Sequence, residues 1–249
     1  MIAATGKCKK LIAAFVLFTP SLLLAQEGSQ LSGYDHRGLP AWVRTPKPQR
    51  IEPASDPAQA AIRQARNLKY NNPASGPLVP HDPGSRPLSG TGGADFQDTF
   101  EPVPSKMSDV VVVATALSFQ PFLSADSSTV YTELAATPHE ILKDKKALLV
   151  PQETFTILQR GGTLALPNGQ LVESAPYGGS NPIRLATRYL LFLRYYQREH
   201  AFTVIRSWDL SQSKPHEMDN DGHPYTGRSG SLEDQFSSED DLKAYVQTR

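Results

Sequence analysis

Through the second half of the chain, apolar residues run continuously or alternate in short segments. The densest such segment is Thr187 to Trp208, TRYLLFLRYYQREHAFTVIRSW. On an extended chain Tyr189, Leu191, Leu193 and Tyr195 fall on one side, and Leu190 and Phe192 on the other. Both sides stay apolar until Arg194, which predicts a strand buried on two faces. A polar break at Gln197, Arg198, Glu199 and His200 follows. Phe202, Val204 and Trp208 then alternate with Thr203, Ile205 and Ser207, so a second strand is expected to return beside the first.

The same reading extends upstream. Asp109 to Phe119, with Val110 to Val113, Leu117 and Phe119, is a second strand apolar on both sides. Val130 to Ala136 places Val130, Thr132 and Leu134 on one face and Tyr131 and Glu133 on the other. Thr137-Pro138-His139-Glu140 then matches a capping box with proline at the first helical position. Either a helical turn carrying Ile141 and Leu142 follows, or the strand continues through a proline bulge. Glu153 to Leu158 is a further strand, with Phe155 and Ile157 on one face, and Gly161-Gly162 breaks it. In LALPNGQLV (164–172), Asn168-Gly169 predicts a two-residue hairpin turn that sets Leu166 across from Leu171. A loop, Ser174 to Pro182, leads into the opening hairpin.

That makes about seven strands in roughly a hundred residues with almost no helix between them, an all-β spacing. A closed or nearly closed small antiparallel β-barrel over 108–210 would hide the edges of such strands. The tail, 211–249, is polar until Ser238-Glu239-Asp240-Asp241. A serine cap followed by three acids complements the positive end of a helix dipole. A terminal helix is therefore expected over about 239–247, docked on the barrel through Leu242, Tyr245 and Val246.

The first half reads differently. Lys7, Lys9 and Lys10 precede an apolar run, Leu11 to Phe18, and Leu22 to Leu24 lead to Ala25. This is the pattern of a secretory signal over 1–25, with cleavage expected between Ala25 and Gln26. The run falls short of the ~20 residues a bilayer needs, so no stable membrane span is expected after signal removal. Residues 26–107 form a Pro/Gly-rich arm, expected to be largely disordered. Within it, Trp42 either docks on the domain or stays in the loose arm. Ser55-Asp56-Pro57 offers a helix start, with serine as the cap, for one short helix over about 56–69. Its apolar face, Ala58, Ala61, Ile62, Ala65 and Leu68, is mostly alanine and would bury little alone. Arg63, Arg66 and Lys69 make it basic; they are expected to be a solvated face, with a membrane-surface or partner helix as the sharper alternative. The linker Asn71 to Ser105 is too rich in proline and glycine for a helix or interior strand.

Of the 249 residues, 39% are hydrophobic and 20% charged, which suits a packed core. Arginine plus lysine equals aspartate plus glutamate at 25 each, so no basic footprint for nucleic acid exists overall. Removing residues 1–25 takes away three lysines and no acids, leaving three net negative charges. The single cysteine, Cys8, lies inside the signal. The exported chain therefore has no disulfide, thiolate nucleophile or cysteine metal ligand.

Candidate chemistry is sparse. None of His36, His81, His139, His200, His216 and His223 sits in a His-Glu-x-x-His helix or at close metal-ligand spacing. Glu217, Asp219, Asp221 and Gly222 begin like a calcium loop, but Arg228 stands where the closing glutamate belongs. Gly90-Thr91-Gly92-Gly93 lacks the Gly-Lys-Ser/Thr of a phosphate loop, and Gly227 to Ser231 lacks the second glycine of a nucleophile elbow. Tyr177, Tyr195, Tyr196 and Trp208 form either a binding patch or core packing. No catalytic, cofactor-binding or metal residue is assigned.

The order SDVVVVATALSF, STVYTELAATPHEILK, ETFTILQRGG, ATRYLLFLRYY, FTVIRSW resembles an uncharacterised group of bacterial secreted proteins. More distantly it is similar to the OB-type barrel of netrin and tissue metalloproteinase-inhibitor modules. The resemblance covers about Ser108 to Trp208 and implies a fold only. Those inhibitors present an amino-terminal cysteine to zinc, and the exported chain has none, so no functional residue carries over. The function expected is an exported non-enzymatic binding or scaffold module of the cell envelope, periplasmic or extracellular, with an envelope protein or ligand as partner. The alternatives are a secreted hydrolase using loop residues such as His200 or His223 with Asp221, and a subunit of an envelope assembly.

Overall fold

The computed structural model describes residues 40–50, 56–85, 103–176, 183–218 and 235–248. The signal with Ala25 and Gln26, the glycine cluster at 90–93, Tyr177, His36 and the segment holding Asp219, Asp221 and His223 lie outside them.

The described chain is mainly β. Its strands are β1 (Lys47–Pro48), β2 (Val110–Leu123), β3 (Val130–Asp144), β4 (Phe155–Arg160), β5 (Gly162–Ala165), β6 (Leu171–Ser174), β7 (Arg188–Tyr196), β8 (Ala201–Asp209) and β9 (His216–Glu217). Two α-helices accompany them, α1 (Pro57–Lys69) and α2 (Glu239–Gln247), with a 3-10 turn at Ala41–Val43. Six strands form one sheet in the order β4-β3-β2-β7-β8-β9. Its neighbours run antiparallel, and Ile157 of β4 also pairs in parallel with Phe202 of β8, so the ends of the run β4-β3-β2-β7-β8 meet. A smaller sheet, β1-β5-β6, holds the Leu164–Val172 hairpin.

The two-faced burial read from the sequence has a direct cause. The central strands β2 and β7 lie between two apolar clusters. On one side Val110, Val112, Ala114, Tyr189, Leu191 and Leu193 pack with Ile157 and Phe202. On the other, Val111, Val113, Leu190 and Phe192 pack with Trp208 beneath Phe236, Leu242 and Val246. Helix α2 supplies Leu242 and Val246, and the Ser238 hydroxyl caps it by accepting from the Asp241 amide. The Arg188 guanidinium on β7 grips Glu239, and Lys243 reaches Glu140 of β3 at 2.7 Å.

Four local expectations are resolved or revised. Residues 137–143 continue the strand: Pro138 pairs with Ala114, and register shifts skip His139 and Leu142. These bulges turn Ile141 toward the first cluster and Leu142 toward the second, so tertiary burial overrides the capping-box pattern. In the hairpin, Leu171 pairs with Ala165 rather than Leu166, and the Leu166 amide donates to the Gln170 carbonyl. Proline at 167 fixes a negative φ, so only Gly169 takes a positive value (83°) and the loop has three residues instead of two. Helix α1 is capped by Asp56, whose carboxylate accepts from the Ala58 and Gln59 amides. The residue before a proline is held extended, which is the cap conformation, so Asp56 rather than Ser55 takes that place.

The fourth concerns the arm. Trp42 is 1% exposed within the first cluster, its indole N–H donating to the Ile183 carbonyl at 2.6 Å. Lys47–Pro48 pairs in parallel with Leu164–Ala165. Further on, the Leu78 amide donates to the Ser127 carbonyl, and His81 and Leu171 exchange backbone bonds. Residues 40–50 and 56–85 are thus packed on the domain.

Candidate functional site

The polar side chains that converge most densely do so on the outer face of β3 and β4, beneath α1. Alternation along β3 sends Thr132 and Leu134 inward and Tyr131 and Glu133 outward. Register places Phe122 of β2 and Arg160 of β4 beside Tyr131, and Leu158 beside Glu133. Two connections rise at the ends of this face, the β2–β3 loop (124–129) and the β7–β8 turn (197–200), where His200 takes a φ of 44°.

Helix α1 lies across it and touches both connections. The Glu133 carboxylate takes the Arg63 guanidinium through both oxygens and Arg66 at 2.9 Å. Arg63 also donates to the Tyr131 hydroxyl at 3.1 Å and lies 3.6 Å over the Phe122 ring. Arg66 donates to the Glu199 carbonyl at 2.7 Å and the His200 carbonyl at 3.1 Å. The Tyr131 hydroxyl donates to the Asn67 side chain at 2.6 Å, and Lys69 sits 3.1 Å over the Tyr196 ring. Tyr70 stacks on Tyr131 with ring centres 4.8 Å apart.

Beyond the helix, the Asp126 carboxylate accepts from Ser124, Ser128 and the Asn72 amide. Desolvation works to raise its pKa, but those hydrogen bonds prevail and hold it at about 2. Burial raises the pKa of the Tyr131 and Tyr70 phenols, so both stay protonated donors near neutrality. Burial works to lower the pKa of the Arg63 guanidinium, and Glu133 outweighs it, raising it further. The face is therefore a set of acceptors and ring faces that hold cations.

The basic stripe Arg63, Arg66 and Lys69 is thus docked, not solvated: Arg66 is the buried residue of the helix. Of the other candidate residues, the Tyr196 ring and the His200 carbonyl join this face, and the rest do not gather. Tyr195 packs on Phe202, and Trp208 lies under Phe236. His139 bonds Thr115 at 2.9 Å, His81 contacts Ser85 at 3.2 Å, and His216 pairs with Asp209 through the backbone. Glu217 is buried against Arg206. Among the described residues no cluster of three His, Cys, Asp or Glu is placed to hold a metal ion. No helix among them is long and apolar enough to cross a membrane. The strand pattern puts Tyr131 and Glu133 on one face without a role for either; the available signal is Arg63, Arg66 and Asn67, which share one side of α1, with Tyr70 following at its C-terminal cap.

No family model, curated protein or solved structure matches this chain.

Proposed function

We propose that this chain is an exported, non-enzymatic binding or scaffold module of the cell envelope, and that its five-strand run is an OB-type barrel. The strand order supports the barrel: β2, β3 and β4 follow one another, β7 returns beside β2, β8 lies beside β7, and β8 meets β4 in parallel. OB barrels bind through the face of their second and third strands and the two connections that flank it. Here these are β3, β4, the loop 124–129 and the turn 197–200. The observation that carries the reading is that the carboxylate, phenol and rings of that face already hold another segment of polypeptide, α1. Export rests on the Lys7 to Ala25 pattern.

Capture experiments from the native envelope fraction, with the chain from Gln26 onward as bait, test the reading. Saturable retention of one defined component is expected. The same protein should show no turnover of ester, glycoside or peptide substrates; turnover abolished by His200→Ala or His223→Ala would replace the binding module with a hydrolase.

A further inference from the structure

We propose that the outer face of β3 and β4 is a receptor for an arginine-bearing helix of a partner protein, and that α1 is its resident, displaceable cover. This rests on the binding-module reading and assigns its ligand.

The first ground is the way α1 sits. A helix that docks for stability turns its apolar side to the sheet. This one turns its cations inward: Arg66 is buried, whereas Leu68 is 52% exposed and Ala58, Ala60 and Ala61 face solvent. The contact is an ion-pair and cation–ring interface. These pairs are largely buried, so Glu133 cannot be left bare, but a second helix bringing cations in the same spacing would keep it compensated and can take the place of α1. The flanking arm is fixed differently, by Trp42 in the core, by β1, and by the backbone bonds of Leu78 and His81. Helix α1 can therefore lift while its neighbours hold.

The second ground is the chemistry of the face. Glu133 accepts two guanidinium groups, the Phe122 and Tyr196 rings each lie under a cation, and the turn offers the carbonyls of Glu199 and His200. Arg160, the cation of the face itself, is turned to Thr129 at 3.2 Å. Positions 63, 66 and 69 follow one another by about one helical turn, so one helix presents all three as a stripe. The complementary ligand is a helix with Arg-x-x-Arg-x-x-Lys on one side. A nucleic-acid strand would bring phosphates against Glu133 and the turn carbonyls. Tethered at both ends, α1 competes at high effective concentration, and a partner reaches the face only in proportion to the fraction of time it is open.

The test uses the chain from Gln26 onward and a labelled synthetic peptide of residues 56–72. In the Arg63→Glu/Arg66→Glu variant the cover is reversed in charge and the face is intact. Fluorescence anisotropy is expected to show the peptide binding this variant about tenfold or more tightly than wild type. Adding Glu133→Lys should abolish binding, as should replacing both peptide arginines with glutamine. Equal affinity for wild type and variant, or indifference to Glu133→Lys, would overturn the proposal. Uptake of a thymidine oligonucleotide or a soluble glycan in place of the peptide would overturn the ligand class. A mixed dimer of variant and wild type by light scattering would replace the partner with a second copy. Should the variant fail to fold by circular dichroism, amide exchange at 59–69 of wild type is read with and without peptide: acceleration supports displacement, and no change overturns it. None of these outcomes touches export or capture from the envelope fraction, so the ligand class can fail while the binding module stands.

Discussion

Replacing Trp42 with alanine tests whether the arm completes the core. The side chain is 1% exposed, packs 6.3 Å from the Phe119 ring, and donates to the Ile183 carbonyl. Truncating a buried aromatic to alanine costs about 3–5 kcal/mol through lost transfer energy and the cavity left behind. Leaving the Ile183 carbonyl without its donor adds about 1–3 kcal/mol if water cannot enter. Native domains are stable by only ~5–15 kcal/mol, so the loss is a large share of the whole. For a chain of this size, about 3–5 kcal/mol corresponds to a fall in Tm of roughly 6–20 °C. Trp42→Phe keeps most of the ring and should lose less than half as much. The assay is urea unfolding followed by far-UV circular dichroism. The fluorescence of Trp208, the other tryptophan and fully buried, serves as an independent probe. Coincident transitions would justify a two-state treatment. A Trp42→Ala midpoint corresponding to less than about 0.5 kcal/mol, the range of ordinary surface changes, would refute the reasoning. The arm would then be an ornament on a self-sufficient sheet.

Three further outcomes follow from individual contacts. Gly162→Ala should destabilise by at least about 2 kcal/mol in the same urea assay, because a Cβ there would stand 2.5 Å from the Thr132 hydroxyl at a φ of 132°. Thr132 is held by the Gly161 carbonyl and has little room to give. Ser238→Ala should cost about 1 kcal/mol by removing the α2 cap, with faster amide exchange at Asp241 as the local readout. Asp126 titrates low in the folded chain, at about 2 against an ordinary 3.8, so its contribution is present above the unfolded value and is lost as pH falls toward about 2. The amide signals of Asn72 and Ser128 should shift across that window, and Asp126→Asn should abolish the shift.

Most strands and their faces are legible from the local pattern of apolar residues. Period-two alternation in Val130–Ala136 and two-sided apolar runs in 110–113 and 189–193 are local properties of the chain, and these segments bury the faces their pattern assigns. The cap at Ser238 is equally local. The strand pattern fails where a bulge intervenes: the register shift at Ile205 turns Trp208 to the opposite cluster from Phe202 and Val204, and Leu117, skipped by the β2–β3 pairing, is exposed. What depends on distant partners is set by the folded arrangement. Residues 137–143 are strand because Val112, Val113 and Ala114 pair with them, which no capping-box pattern can register. Trp42 is core because Ile183, far along the chain, supplies an acceptor. The candidate site was the least legible part. Arg63 and Arg66 looked like solvent-facing cations, since the carboxylate, ring and carbonyls that hold them come from Glu133, Phe122, Glu199 and His200. A charge on a helix becomes an anchor only when the fold sets an opposite charge within reach, and that distance is fixed by strand pairing rather than by spacing along the chain.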